Sequence, residues 1–160
     1  MLDLAGSLHL RPFALADVAV VEPWLAGPGL SVPSGQLRHD WPRHLVGNQR
    51  IIALIAERHG LNLGFVRLDV GPDRIAEITL VVAPQHRRAG FGSAMFFAAL
   101  LHARRTGLRG FVAMVDISNA PALSFFADQG FVQDGIVGDR IRMQRFVHAS
   151  DHAAPLDLDG

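Results

Sequence analysis

Three strand-like runs crowd the middle of the chain: "RIIALIAER" (50–58), "LGFVRLDV" (63–70) and "RIAEITLVVA" (74–83). Only "HGLN" and "GPD" separate them, enough for a turn and too little for a crossover. That spacing dictates an antiparallel meander, and any fold for this sequence must be built around it. Upstream, "LHLRP" (8–12) alternates as an earlier strand, and "ALADVAVVEPWLAG" (14–27) is expected as a short helix ending near Gly27. "PGLSVPSG" (28–35) reads as a loop, and 36–47 carries a weak helical signal interrupted around Trp41-Pro42.

Downstream the period changes. Residues 90–106 predict a helix with Arg104 and Arg105 in its last turn, where cations suit the dipole, and Gly107 to close it. "LRGFVAMVD" (108–116) is a strand. Ser118 or Asn119 caps a helix running to Gln129, with Pro121 tolerated in its first turn and Gly130 at its end. "FVQDGIV" and "DRIRMQRFV" pair as a hairpin across Gly138. The order β-α-(α)-β-β-β-α-β-α-β-β puts the chain in the α/β (α+β) class. It implies one mixed, mostly antiparallel sheet with helices on both faces.

With 160 residues, 49% apolar and 19% charged, the chain is expected to form one domain over residues 1–148. A disordered tail is expected at 149–160. Lys+Arg and Asp+Glu are 15 each, so no nucleic-acid or membrane partner is expected. Without cysteine there is no disulfide, no thiolate zinc site and no cysteine nucleophile. None of the eight histidines forms a His-x-x-x-His pair on a convincing helix with a carboxylate nearby, so no metal is expected. No apolar run is long enough to span a bilayer, and "MLDLAGSLHLRP" lacks signal-peptide features, so a cytoplasmic location is expected.

The chemistry is carried by "QHRRAGFGSAM" (85–95). A strand, a basic loop and Gly-x-Gly opening a helix make an anion site. Free N–H groups point out of the helix end, and glycines let a phosphate approach. A dinucleotide fingerprint would need a small residue at Met95, and a P-loop would need Gly-Lys-Ser/Thr, so neither applies.

"VVAPQHRRAGFGSAM" resembles the acetyl-CoA-binding segment of the GNAT family of N-acetyltransferases: Arg87, Gly90 and Gly92 fill its pattern. "SNAPALSFFADQGF" (118–131) resembles that family's second segment through Asn119, Ala122, Phe125, Gly130 and Phe131. The element order agrees over residues 8–147. The resemblance implies a strand that splays from its neighbour, with Leu80, Val81 and Val82 along the pantetheine arm. It places Arg87, Arg88, Ala89, Gly90, Phe91, Gly92 and Ser93 around the pyrophosphate, and adds Asn119 and Phe126 to the cofactor site. The Val82 N–H would face the thioester oxygen, and Glu77 would accept the amine's proton.

The implied reaction is direct acetyl transfer from acetyl-CoA to the primary amine of a small acceptor, such as an amino sugar or amino acid. Trp24, Trp41 and Thr79 are candidates for the acceptor side, with core packing the competing role for each tryptophan. The family's tyrosine position holds Phe126, and the chain has no tyrosine at all. That departure motivates the alternative of a non-catalytic acyl-CoA sensor. The final hairpin offers an edge for a homodimer.

Overall fold

A computed structural model describes residues 8–26, 46, 48–87 and 90–148. Among the described residues, seven strands form one sheet in the order β1-β2-β3-β4-β5-β7-β6. They are β1 (Leu8–Pro12), β2 (Ile51–Arg58), β3 (Leu61–Val70), β4 (Ile75–Val82), β5 (Gly110–Asp116), β6 (Val132–Val137) and β7 (Arg140–Phe146). The expected meander is β2-β3-β4. Every neighbouring pair is antiparallel except β4 and β5.

The β2–β3 turn is tighter than the four residues read from "HGLN". His59 and Gly60 both take positive φ, at 51° and 79°, and β3 begins at Leu61. Two left-handed residues in sequence are what a two-residue hairpin turn needs, because its twist then matches that of the strands. The extra strand length is absorbed by a register shift beside Ala56 and Glu57.

The first expected helix is broken into short pieces. A 3₁₀ turn (Leu15–Asp17), α1 (Val18–Val21) and a second 3₁₀ segment (Glu22–Ala26) follow one another. Pro23 has no N–H to continue an α-helical ladder. Asp17 is held by Arg11 through two 2.9 Å contacts, and it also accepts from the Ala14 N–H. This clamp fixes the segment against β1, and Arg11 reaches Glu57 on β2 at 3.1 Å as well. The hydrogen bonds from Arg11 hold the Asp17 carboxyl below the usual carboxylate range. The expected loop at 28–35, nearly all of the weak helix at 36–47 and the tail at 149–160 lie outside the described residues.

α2 (Phe91–Thr106) runs between left-handed glycines, Gly90 at φ 84° and Gly107 at φ 78°. Its end is further fixed by Arg74, whose Nε donates to the Gly107 carbonyl at 2.8 Å. α3 (Ala120–Asp128) starts at Asn119, whose side-chain oxygen accepts from the Ala122 N–H at 3.2 Å. Of the two candidate caps, the structure uses Asn119. Ser118 instead donates to Asp116 at 2.6 Å.

The sheet buries two different faces. One packs α2 and α3 over Leu54, Val66, Ile78, Phe111 and Met143, with Phe96 and Met95 at the centre. The other packs Phe13, Val21, Trp24 and Leu25 over Ile55, Phe65 and Val81. Helices therefore cover both faces, as the element order predicts. Alternation along β4 sends Ala76, Ile78, Leu80 and Val82 towards α2, and Glu77, Thr79 and Val81 to the opposite face.

Candidate functional site

The site begins with a pairing failure. β4 and β5 pair only at Ile75↔Gly110, Ala76↔Phe111 and Glu77↔Val112. Beyond Glu77 the two strands diverge, although β4 continues to Val82 and β5 to Asp116. This is the expected splay, and it opens a wedge in the middle of the sheet.

The free backbone groups of the wedge follow from register. Ala83 N–H donates to the Leu63 carbonyl at 2.8 Å, which makes Leu63 and Ala83 a hydrogen-bonded pair. Antiparallel pairs alternate, so Phe65–Val81 and Arg67–Thr79 also bond across β3–β4. The N–H groups of Leu80 and Val82 therefore turn away from β3 and into the wedge. The Val82 carbonyl turns the same way and accepts from Arg87 Nε at 3.3 Å.

A cavity of about 500 Å³ lies over this edge. Leu80, Val81 and Val82 form one wall, His86 and Arg87 the rim, and Gly90 to Ser93 the end. Phe91, Gly92 and Ser93 are the first turn of α2, and their N–H groups lack helical partners. They point out of the helix into the cavity, where the positive end of the dipole favours an anion. Arg88 and Ala89 lie outside the described residues.

Gly90 and Gly92 have separate tasks. Gly90 holds a left-handed φ that a side chain would strain. A Cβ at Gly92 would stand 3.0 Å from Phe125 Cε1, so its missing side chain admits Phe125 of α3 rather than only a ligand. Phe125 is half-buried against the α2 core and also lines the cavity together with Pro121, Ala122 and Phe126. The signal for this wall was the spacing of Pro121–Ala122 and Phe125–Phe126, one helical turn apart on a single face of α3.

A smaller cavity of about 100 Å³ continues into the wedge. It shares Leu80, Ala122 and Phe126 with the first, and adds Glu77, Thr79, Met114 and Asn119. The side-chain oxygen of Asn119 is already engaged as the α3 cap. Phe126 separates the two spaces and packs edge-on against Phe131 at 5.0 Å. No hydroxyl stands at this position. Glu77 and Thr79 thus line a space that adjoins, through Leu80, the one lined by Val82.

The Glu77 carboxyl is held above the ordinary glutamate range. Desolvation is the largest cause, and the negative charge of Asp69 adds to it. Arg140 and Arg67 pull the other way. Trp24 is buried to 5% exposure in the second core cluster, so the structure gives it the packing role rather than an open pocket wall. Trp41 lies outside the described residues. Among the described residues, no group of three His, Asp or Glu is placed to hold a metal ion. None of the described helices is long and apolar enough to cross a membrane.

The sequence pattern of the acetyltransferase (GNAT) family matches residues 20–131, which runs from the end of α1 through the wedge and α3. The chain belongs to the GNAT family. Over 80 residues, 49% of the chain, it is 38% identical to a mycothiol acetyltransferase of Thermomonospora curvata. That match covers 27% of the relative, so the chain spans about a quarter of that protein's length.

Solved structures share the GNAT fold. A spermidine N-acetyltransferase from Vibrio cholerae, in complex with CoA and spermine, superposes with a TM-score of 0.72 at 22% identity. The superposition covers 89% of this chain and 96% of that one. A mutant of the Vibrio cholerae spermidine N-acetyltransferase superposes at 0.77 with 20% identity, covering 94% and 99%.

Proposed function

We propose that this GNAT chain is an acetyl-CoA-dependent N-acetyltransferase acting by direct transfer onto the primary amine of a small acceptor. One observation carries the reading: two adjoining cavities, sharing Leu80, Ala122 and Phe126, extend from the N-terminus of α2, past the outward N–H groups of Leu80 and Val82, to Glu77. The residues fit the cofactor by chemistry. Unpaired helix N–H groups and Arg87 suit a pyrophosphate. A strand edge left without a partner suits an amide-bearing arm, and Phe125 and Phe126 cover its apolar part.

When bound, acetyl-CoA supplies the thioester carbonyl as electrophile. The Val82 N–H, turned away from β3, would be the donor for the oxygen where charge develops, a role worth a few kcal/mol of barrier. Glu77 takes the proton the amine loses. The thiolate then leaves without a tyrosine, since Phe126 occupies that place. A thiol pKa of roughly 8.5 makes its protonation helpful rather than obligatory. Thr79 and the open face beside Glu77 form the acceptor side. The exposed edge strand β6 is where a homodimer would pair.

The test is release of free CoA from acetyl-CoA with a panel of amino sugars, amino acids and polyamines. Steady-state release with at least one primary amine is expected. The second reading, an acyl-CoA sensor, is favoured by Phe126 alone. Tight acetyl-CoA binding with no release across the panel would establish it instead.

A further inference from the structure

Glu77 does not stand alone on its face of the sheet. Asp69 of β3 lies directly opposite it in the register. The pair belongs to the hydrogen-bonded class, since the Gly71 N–H donates to the Ile75 carbonyl two residues further along. Their Cα atoms are therefore about 5.5 Å apart, and like charges so placed repel. A sheet with no use for this pair would gain by losing one carboxylate.

Asp69 is in turn gripped by Arg67, two residues back on the same face of β3. Arg67 Nε donates to Oδ1 at 2.7 Å and Nη2 to Oδ2 at 3.1 Å, a two-point clamp. Arg67 lies opposite Thr79, so clamp, carboxylate and base occupy adjoining rows beside the wedge.

Building on the transferase reading, we propose that Asp69, clamped by Arg67, is the positioning residue that sets how tightly Glu77 holds the proton taken from the acceptor amine. Asp69 supplies a fixed negative charge that makes Glu77 a better proton acceptor. Arg67 fixes that charge in place and tempers it. The apparatus tunes a base without touching the reacting atoms.

The other groups facing Glu77 among the described residues set the background. β7 presents Gln144 in the same row, then Arg142 and Arg140, with Arg142 paired to Asp134 of β6. β5 presents Val112 and Met114 before Asp116, and β2 presents Ile51 and Ala53. Of the N-terminal charges, Arg11 and Asp17 are paired with each other. Asp69 is thus the one carboxylate directly opposite Glu77 across a strand pair.

The test reads Glu77 itself. Carboxyl carbon shifts of the full-length protein, labelled at glutamate, are titrated in the wild type, Asp69→Asn, Arg67→Met and Arg67→Lys, with folding checked by circular dichroism. The Glu77 midpoint falls in Asp69→Asn, rises in Arg67→Met and returns towards the wild type in Arg67→Lys. A midpoint moved down by half a unit raises the ionised fraction below it roughly threefold.

With acetyl-CoA and an amine active in the release assay, the acid limb of kcat/KM shifts in the same directions, while KM for acetyl-CoA stays put. A merely structural ion pair would move both single variants alike. Unchanged Glu77 midpoints, or shifts of one sign in Asp69→Asn and Arg67→Met, overturn the proposal. If the midpoints move as stated but no amine releases CoA, the transferase reading fails and the coupling stands.

Discussion

Replacing Glu77 by glutamine is expected to lower kcat/KM by about 10²–10⁴-fold at neutral pH, the range of a lost general base. The pH profile decides why. A base works when ionised, so wild-type kcat/KM should rise with pH through the Glu77 midpoint. Desolvation and Asp69 place that midpoint above the ordinary glutamate range. In Glu77→Gln this acid limb disappears.

Stability should not suffer with it. A carboxyl whose folded-state pKa is raised favours folding most when protonated, and that contribution is lost as pH rises through the folded midpoint. Glutamine never ionises, so the variant keeps or gains Tm at neutral pH. A slow enzyme with the wild-type acid limb would remove Glu77 from the role of base.

Gly64→Val is expected to have the largest effect on the fold. Gly64 lies on β3 opposite Val82, beneath α2. A Cβ there would stand 2.5 Å from Met95 Cε, 2.6 Å from Met95 Sδ and 2.6 Å from the Val81 carbonyl oxygen. Met95 is fully buried, and the Val81 oxygen is backbone and cannot swing aside as a side chain would. The expected cost is about 2–3 kcal/mol, or a Tm lower by roughly 5–10 °C in a chain of this size.

The function should fall with it, because the same contact sets where the N-terminus of α2 meets the end of β4. CoA affinity should drop even below the melting range. A variant with the wild-type melting curve and the wild-type CoA affinity would show that this close approach does not matter.

The sequence discloses the elements that local chemistry specifies. The meander follows from three alternating runs with short turns. α2 follows from Gly90, Gly107 and the arginines of its last turn, and the proposed donor site from the motif between β4 and α2. Features that depend on register or long-range packing are hidden. The depth of the wedge depends on where β4–β5 pairing stops, after Glu77↔Val112, and nothing in either strand's own sequence marks that point.

Asp69 is eight positions from Glu77 in sequence, and only the turn through Gly71 and Arg74 makes them direct neighbours. Gly92 matches the motif for phosphate approach, yet its second task becomes visible only once Phe125 is seen against it. The apolar spacing of the first helix persists across Pro23, whereas the backbone there is governed by the proline and by the Arg11–Asp17 clamp and breaks into short pieces.

In the proposed reading, CoA lies along the wedge edge of β4 with its pyrophosphate at the N-terminus of α2. Titrating ¹⁵N-labelled protein with CoA and following the backbone amides tests it most directly. The amides of Leu80, Val82, Phe91, Gly92 and Ser93 should show the largest shifts. A separate cavity of about 360 Å³, lined by Arg50, Val70, Arg74 and Leu108, should stay silent. Shifts confined to that second cavity, or no shifts at millimolar CoA, would contradict the account.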